Sequence, residues 1–152
     1  MRSRKLVLKD EAETIALGRR LGRALRGLDV VCLYGELGAG KTTLTKGVAA
    51  ALGYKGRVTS PTFGLAREYR GARFSVFHLD LYRVSGKETG DIGLEEFLND
   101  PRAVCVIEWP EAAADFLPED RLEVRLTTRA DGGRDAALLA TGARAKEILA
   151  KA

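Results

Sequence analysis

The stretch Gly35-Glu36-Leu37-Gly38-Ala39-Gly40-Lys41-Thr42 decides how this chain is read. It follows the apolar run Val30-Val31-Cys32-Leu33-Tyr34 and leads into a helix-like segment from Thr42 to Leu52. A strand that turns through glycines into a helix is an anion site. Without Cβ atoms the backbone wraps closely, successive N–H groups point at phosphate oxygens, and the helix adds the positive end of its dipole. Lys41 sets a compact cation against the outer phosphates, and the Thr42 hydroxyl is placed to ligate Mg2+. A chance Gly-rich turn need not match every fixed position and both flanks. The pattern therefore predicts that Gly35, Glu36, Leu37, Gly38, Ala39, Gly40, Lys41 and Thr42 cradle a nucleoside triphosphate.

The flanking sequence predicts the scaffold. Residues 6–8 read as a short strand, and Asp10 with Glu13 three positions later reads as a capping-box helix start. Ile15, Leu17, Leu21, Leu25 and Leu28 supply an apolar helix face, with Gly27 as the expected stop. Residues 29–34 form the strand before the glycine loop, and the helix after it is expected to end near Gly53. Pro61 makes 59–63 a loop, and 65–69 with 74–81 read as an antiparallel hairpin turning at Arg70-Gly71-Ala72. The polar, Gly-rich segment 86–93 reads as a connection, followed by a short helix at 94–98.

Residues 103–107 are continuously apolar, which suits the centre of a sheet covered on both faces. Pro110 is expected to open a helix that Pro118 closes. Residues 121–127 alternate, with Leu122, Val124 and Leu126 on one face. A turn at Asp131-Gly132-Gly133, a strand at 136–140 and a helical Ala-rich tail complete the chain. The expectation is a three-layer α/β fold with a mixed central sheet including an antiparallel hairpin, as one domain over residues 1–152.

Composition narrows the setting. The chain has 152 residues, of which 45% are hydrophobic and 30% charged, ordinary values for a soluble domain. No run approaches the roughly 18 apolar residues of a membrane span, and only Leu6-Val7-Leu8 follows the basic N-terminus, so no membrane association and cytoplasmic residence are expected. Cys32 and Cys105 sit in apolar runs and read as buried hydrophobes in a reducing compartment. The net charge is +4, but it is spread as arginine among acids, with one basic cluster at an N-terminal tip read as frayed. Charge alone favours no direct RNA contact.

A phosphate loop needs a carboxylate for its metal, usually at the end of a neighbouring apolar strand. Val104-Cys105-Val106-Ile107-Glu108 supplies it, with Glu108 where aspartate is commoner. Mg2+ keeps several waters, so the longer carboxylate serves directly or through water. Asp80, in His78-Leu79-Asp80-Leu81-Tyr82-Arg83, is a second candidate at a strand end where ligands gather in open α/β sheets, to orient water or steady the metal's shell. Taken alone, Asp80 also fits a solvated strand end, His78 a structural histidine, and Trp109 either core or a place beside the nucleotide.

Five blocks in order resemble the bacterial threonylcarbamoyladenosine-tRNA biosynthesis ATPase family, TsaE (also called YjeE). They are Gly35 through Thr43; Ser60-Pro61-Thr62-Phe63; His78-Leu79-Asp80-Leu81-Tyr82-Arg83; Gly93-Leu94-Glu95-Glu96; and Ile107-Glu108-Trp109-Pro110-Glu111. Glu36 stands where the family often has Asp, and nothing after Thr127 matches a motif. The resemblance implies a P-loop NTPase fold and slow intrinsic ATP hydrolysis. It also implies binding to the TsaB–TsaD pair, which attaches a threonylcarbamoyl group to adenosine 37 of tRNAs reading ANN codons. The ATPase subunit would be required for turnover without performing the transfer, and its tie to tRNA is left open as direct or indirect. Carried over, Lys41 holds phosphates, Thr42 and Glu108 hold Mg2+, and Asp80 is a catalytic or metal-shell carboxylate. Ser60, Pro61, Thr62 and Phe63 form a switch-like loop, Trp109 lies in a second one, and Thr43 borders the nucleotide.

Three other readings are weaker. A small-metabolite kinase needs an arginine-rich lid, and 86–93 carries one lysine. A nucleotide-gated binding module would make hydrolysis incidental. A GTPase is disfavoured because no Asn-Lys-x-Asp segment is present. Arg67 and Arg83 are candidates for a cis arginine finger, and without one slow basal turnover is expected.

Overall fold

Alternate residues of the apolar runs face opposite ways, so a run that is apolar throughout must be covered on both sides. The computed structural model describes residues 2–61, 66–84 and 93–152. Its strands are β1 (Arg2–Leu8), β2 (Val30–Tyr34), β3 (Ala66–Tyr69), β4 (Ser75–Asp80), β5 (Ala103–Glu108), β6 (Leu122–Thr128) and β7 (Arg134–Ala140). They form one seven-stranded sheet in the order β1-β7-β6-β2-β5-β4-β3. β2 runs parallel to both β5 and β6, and β4 runs parallel to β5. The expected β3–β4 hairpin is antiparallel; so are the β6–β7 and β1–β7 pairs on the other side.

Side-chain parity splits the core as the sequence requires. Val31, Leu33, Val76, Val104, Val106 and Val124 face α1 (Glu11–Ala24), α2 (Lys41–Ala51) and α4 (Ala143–Ala150). Val30, Cys32, Leu79, Cys105 and Ile107 face the opposite layer, which holds the short α3 (Leu94–Leu98) and a 3-10 turn at Pro110–Ala113. The sheet is therefore the middle of three layers. Cys32 and Cys105 are free and buried.

Helix α1 starts as its cap predicts. Asp10 accepts a hydrogen bond from Glu13 N at 2.9 Å, and Glu13 Oε1 accepts from Lys9 N at 3.2 Å. Its face on α2 is lined with glycine. A Cβ on Gly18 would lie 2.1 Å from Leu44 O, and one on Gly47 would lie 2.2 Å from Ile15 O. The two helices meet backbone to backbone, which fixes where α2, and the loop that opens it, sits above the sheet.

Four sequence expectations change. Gly27 is not the helix stop: α1 ends at Ala24 with Leu25 as its C-cap, and Gly27 is needed because a Cβ there would lie 1.8 Å from Pro101 O. The basic N-terminal tip is not frayed. From Arg2 it is strand β1, paired along β7, with Arg4 donating to Ala152 O at 2.7 Å. The helix expected between Pro110 and Pro118 is only the 3-10 turn. The strand expected at 136–140 begins earlier, at Arg134. The switch-loop residues Thr62 and Phe63, and most of the 86–93 connection, lie outside the described residues. Among the described residues no helix is long and apolar enough to cross a membrane.

Candidate active site

The glycine loop runs from the end of β2 into α2. Gly35 has φ 152°, and a Cβ there would lie 2.6 Å from Leu126 O, so the loop leaves the sheet tight against β6. Gly40 caps α2 in the left-handed region, at φ 107° and ψ 14°, and no side chain caps this helix. The first bond into the helix is Leu44 N to Gly40 O at 2.9 Å. The amides of Lys41, Thr42 and Thr43 thus have no acceptor within the helix and open at its positive end. Glu36, Leu37 and Gly38 form the exposed rim, while Ala39 is buried against the sheet.

Lys41 folds back over this loop. It is only 4% exposed, donates from Nζ to Gly35 O at 2.5 Å, and lies 3.8 Å from the centre of the Trp109 ring. Burial pushes its pKa below the ordinary 10.5, while Glu108, Asp80, Glu111 and Glu36 pull it back. Trp109 reaches that position because its backbone is left-handed, with φ 56°, where the chain turns from β5 into Pro110. The Tyr82 ring packs against Trp109, tilted by 51° with 4.8 Å between ring centres.

The carboxylates converge from two parallel strands. Glu108 ends β5 in register with Leu33 of β2 and Asp80 of β4. It shares parity with Val104 and Val106, so it points to the α2 side. There the Thr42 hydroxyl donates to Glu108 Oε2 at 3.2 Å. Asp80 accepts from Ser60 Oγ at 3.2 Å and from Tyr82 N at 3.0 Å. Ser60 therefore lies directly beside this carboxylate. A cleft of about 420 Å³ opens beside Gly35 and Glu36, lined by Trp109, Glu111, Arg125 and Thr127. One of similar size, about 430 Å³, lies over β1 and β7, away from Lys41 and the two carboxylates. The converging charged groups, not cavity size, mark the site.

The donor set has a chemical character. Among the described residues no group of three or more His, Cys, Asp or Glu side chains is arranged to hold a metal. Thr42, Glu108 and Asp80 instead offer a few hard oxygens beside an anion cradle. That suits Mg2+ shared with phosphates and water, and does not suit zinc.

The model of the family described as threonylcarbamoyl adenosine biosynthesis protein TsaE matches residues 8–136. The chain belongs to the TsaE family. It is 49% identical over 114 residues to the tRNA threonylcarbamoyladenosine biosynthesis protein TsaE of Streptomyces coelicolor, covering 72% of this chain and 76% of that one. The TsaE of Bacillus subtilis is 37% identical over 132 residues, covering 87% and 82%, and that of Haemophilus influenzae 34% over 155 residues, covering 98% and 97%. A crystal structure of Bacillus subtilis YdiB superposes with a TM-score of 0.81 at 31% identity, covering 98% of this chain and 93% of that one. Nucleotide binding and a part in forming threonylcarbamoyladenosine (t6A) on tRNA, beside other Tsa proteins, come with TsaE membership.

Two groups in this TsaE-family site escaped the reading of the residues. His78, read as structural, is fully buried and joins the site: Nε2 lies 2.5 Å from Glu108 Oε2 and Nδ1 lies 3.0 Å from the Tyr69 hydroxyl. That hydroxyl also donates to Thr59 O at 2.7 Å, so a chain of contacts runs from the backbone before Ser60 to Glu108 and Thr42. The period-2 placement of His78 and Asp80 on one strand face was the available signal. The second is Arg134. Arg67 and Arg83 are both exposed, whereas Arg134 bonds to the loop backbone from β7, in the part of the chain that carried no motif.

Proposed function

We propose that this chain is the Mg2+-dependent ATPase of the t6A pathway, slow by itself and acting on the TsaB–TsaD pair. The observation that carries the reading is the contact between the Thr42 hydroxyl and Glu108 across the mouth of the glycine loop, with Asp80 in register on the next strand. It supports a single oxygen-lined position next to the amides of residues 40–43 and the Lys41 ammonium. Thr42 and Glu108 would hold Mg2+, with Asp80 directly or through water. The ion, when bound, neutralises charge on the phosphate oxygens.

The protein's own part is position and charge. Gly35 to Thr43 wrap the phosphates, and Lys41 moves from the Gly35 carbonyl to an outer phosphate oxygen. Trp109 walls the ammonium from solvent and keeps it directed inward. Asp80 or Glu108 orients a water for in-line attack on the terminal phosphorus, and the water's proton passes to that carboxylate as the bond to the leaving oxygen breaks. Ser60, bonded to Asp80, begins a loop of Ser60, Pro61, Thr62 and Phe63. The contact of Ser60 with Asp80 supports a role for this segment in sensing the terminal phosphate.

Reconstitution with TsaB, TsaD and tRNA tests this, with ATP turnover and t6A formation measured together. Lys41→Ala is expected to lose nucleotide binding, Thr42→Ala to lose the dependence of turnover on magnesium, and Asp80→Ala to lose turnover and modification alike. Modification that survives loss of turnover in Asp80→Ala would instead make the protein a nucleotide-gated binding module.

A further inference from the structure

The turn Asp131-Gly132-Gly133 brings Arg134, the first residue of β7, against the glycine loop. Its Nε donates to Ala39 O at 2.8 Å and its Nη2 to Gly38 O at 3.0 Å. Nη1 donates to Gly132 O at 3.0 Å and Gly133 O at 2.9 Å, so the guanidinium is fixed by its own turn before it reaches the loop. The turn is itself closed, by Gly133 N on Asp131 Oδ1 at 2.9 Å and Arg129 N on Gly133 O at 2.9 Å. The nearby carboxylates of Asp131 and Asp135 pair with Arg129, and among the described residues Arg134 forms no ion pair. Among the described residues its hydrogen-bond acceptors are all backbone carbonyls.

A trans peptide points its C=O and the next residue's N–H in opposite directions. Holding the Gly38 and Ala39 carbonyls on one planar fork therefore turns the Ala39 and Gly40 amides away from β7. The Ala39 amide closes the loop on Glu36 O at 3.0 Å. The Gly40 amide makes no hydrogen bond among the described residues and adjoins the open amides of Lys41, Thr42 and Thr43.

We propose that Arg134 is a positioning residue of the nucleotide site: gripping two consecutive loop carbonyls, it aims the Gly40 amide into the phosphate cradle and places a fixed positive charge behind it. Arginine is required in this role because its planar fork fixes two acceptors at once, whereas a lysine ammonium fixes neither direction. The inference rests on nucleotide binding at this loop.

The test is ADP binding, measured by calorimetry without turnover, for the wild type, Arg134→Ala, Arg134→Lys and Lys41→Ala, with thermal unfolding of each nucleotide-free protein. The Gly40 amide resonance is followed through each titration. Arg134→Ala is expected to weaken ADP binding by about tenfold or more, the scale of one lost charge-assisted bond network, with nucleotide-free unfolding nearly unchanged. The Gly40 resonance should shift on ADP addition in the wild type and respond far less in the variant. Arg134→Lys should recover only a minor part of the affinity, and it carries the test should the alanine variant not fold. Wild-type affinity in either Arg134 variant, or a Gly40 response that survives the substitution, overturns the proposal. Undiminished ADP binding by Lys41→Ala would instead overturn the assignment of the loop as the nucleotide site.

Discussion

Glu108 is 3% exposed, so its neighbours decide whether a carboxyl is tolerated beneath α2. Its Oε2 is shared by the Thr42 hydroxyl at 3.2 Å and His78 Nε2 at 2.5 Å, while His78 is held from behind by Tyr69 at 3.0 Å. Removing one partner of a buried polar pair costs more than removing both, because the group left behind keeps its desolvation penalty. His78→Leu is therefore expected to lower stability by roughly 1–3 kcal/mol and to reduce ATP turnover, since Glu108 loses its fixed rotamer. The double variant His78→Leu/Glu108→Gln should regain part of that stability in urea unfolding while remaining inactive. A double variant no more stable than His78→Leu would show that His78 does not act through Glu108. Trp109 pays for its own place with a left-handed backbone, a cost on the order of 1 kcal/mol, and the contact with Lys41 is what that geometry achieves.

Among elements, the pairing of α1 with α2 sets the height of the phosphate loop, and Gly18 and Gly47 are its contact points. Gly47→Ala would put a Cβ 2.2 Å from Ile15 O, a backbone atom that cannot swing aside. The helices must separate, so the variant should lose about 1–3 kcal/mol in urea unfolding and bind nucleotide more weakly, because α2 carries Lys41 and Thr42. Unchanged stability would mean that the crossing is looser than these distances require. The strands and the loop were legible in sequence because their signals are local: an apolar run, a period of two, a glycine pattern. Glu108 and Asp80 were legible because each ends such a run. The glycine faces of α1 and α2 were not, since a glycine inside a helix reads as a weak position until the opposing backbone is known. Arg134 was hidden for a similar reason, as its partners lie 95 and 96 positions away. The left-handed turn that settles Trp109 beside Lys41 has no local signature at a tryptophan.

Over the whole molecule, the proposed site needs the ends of β2, β4 and β5 held in one register, and the sheet's buried interior does that. The same burial encloses two thiols at its centre, Cys32 on β2 and Cys105 on β5, at 0% and 2% exposure. Desolvation pushes each thiol up from 9.0 to about 12. In the unfolded chain both ionise near pH 9, whereas in the folded protein they stay protonated until about pH 12. Between those limits the folded state binds more protons, so stability is intact below pH 9 and falls as pH rises. The loss is on the order of 1 kcal/mol per thiol at about pH 10. Tyr34, pushed from 10.0 to about 12 mainly by burial, adds to the same slope at higher pH. Cys32→Ala/Cys105→Ala is expected to flatten the alkaline limb. In urea unfolding at about pH 7 and about pH 10, the wild type should lose roughly 2 kcal/mol more than the variant, after correction for the variant's lower starting stability. Equal losses would mean that the thiols ionise in the folded sheet, and that the layer beneath α3 admits water where the register of β2 and β5 requires it closed.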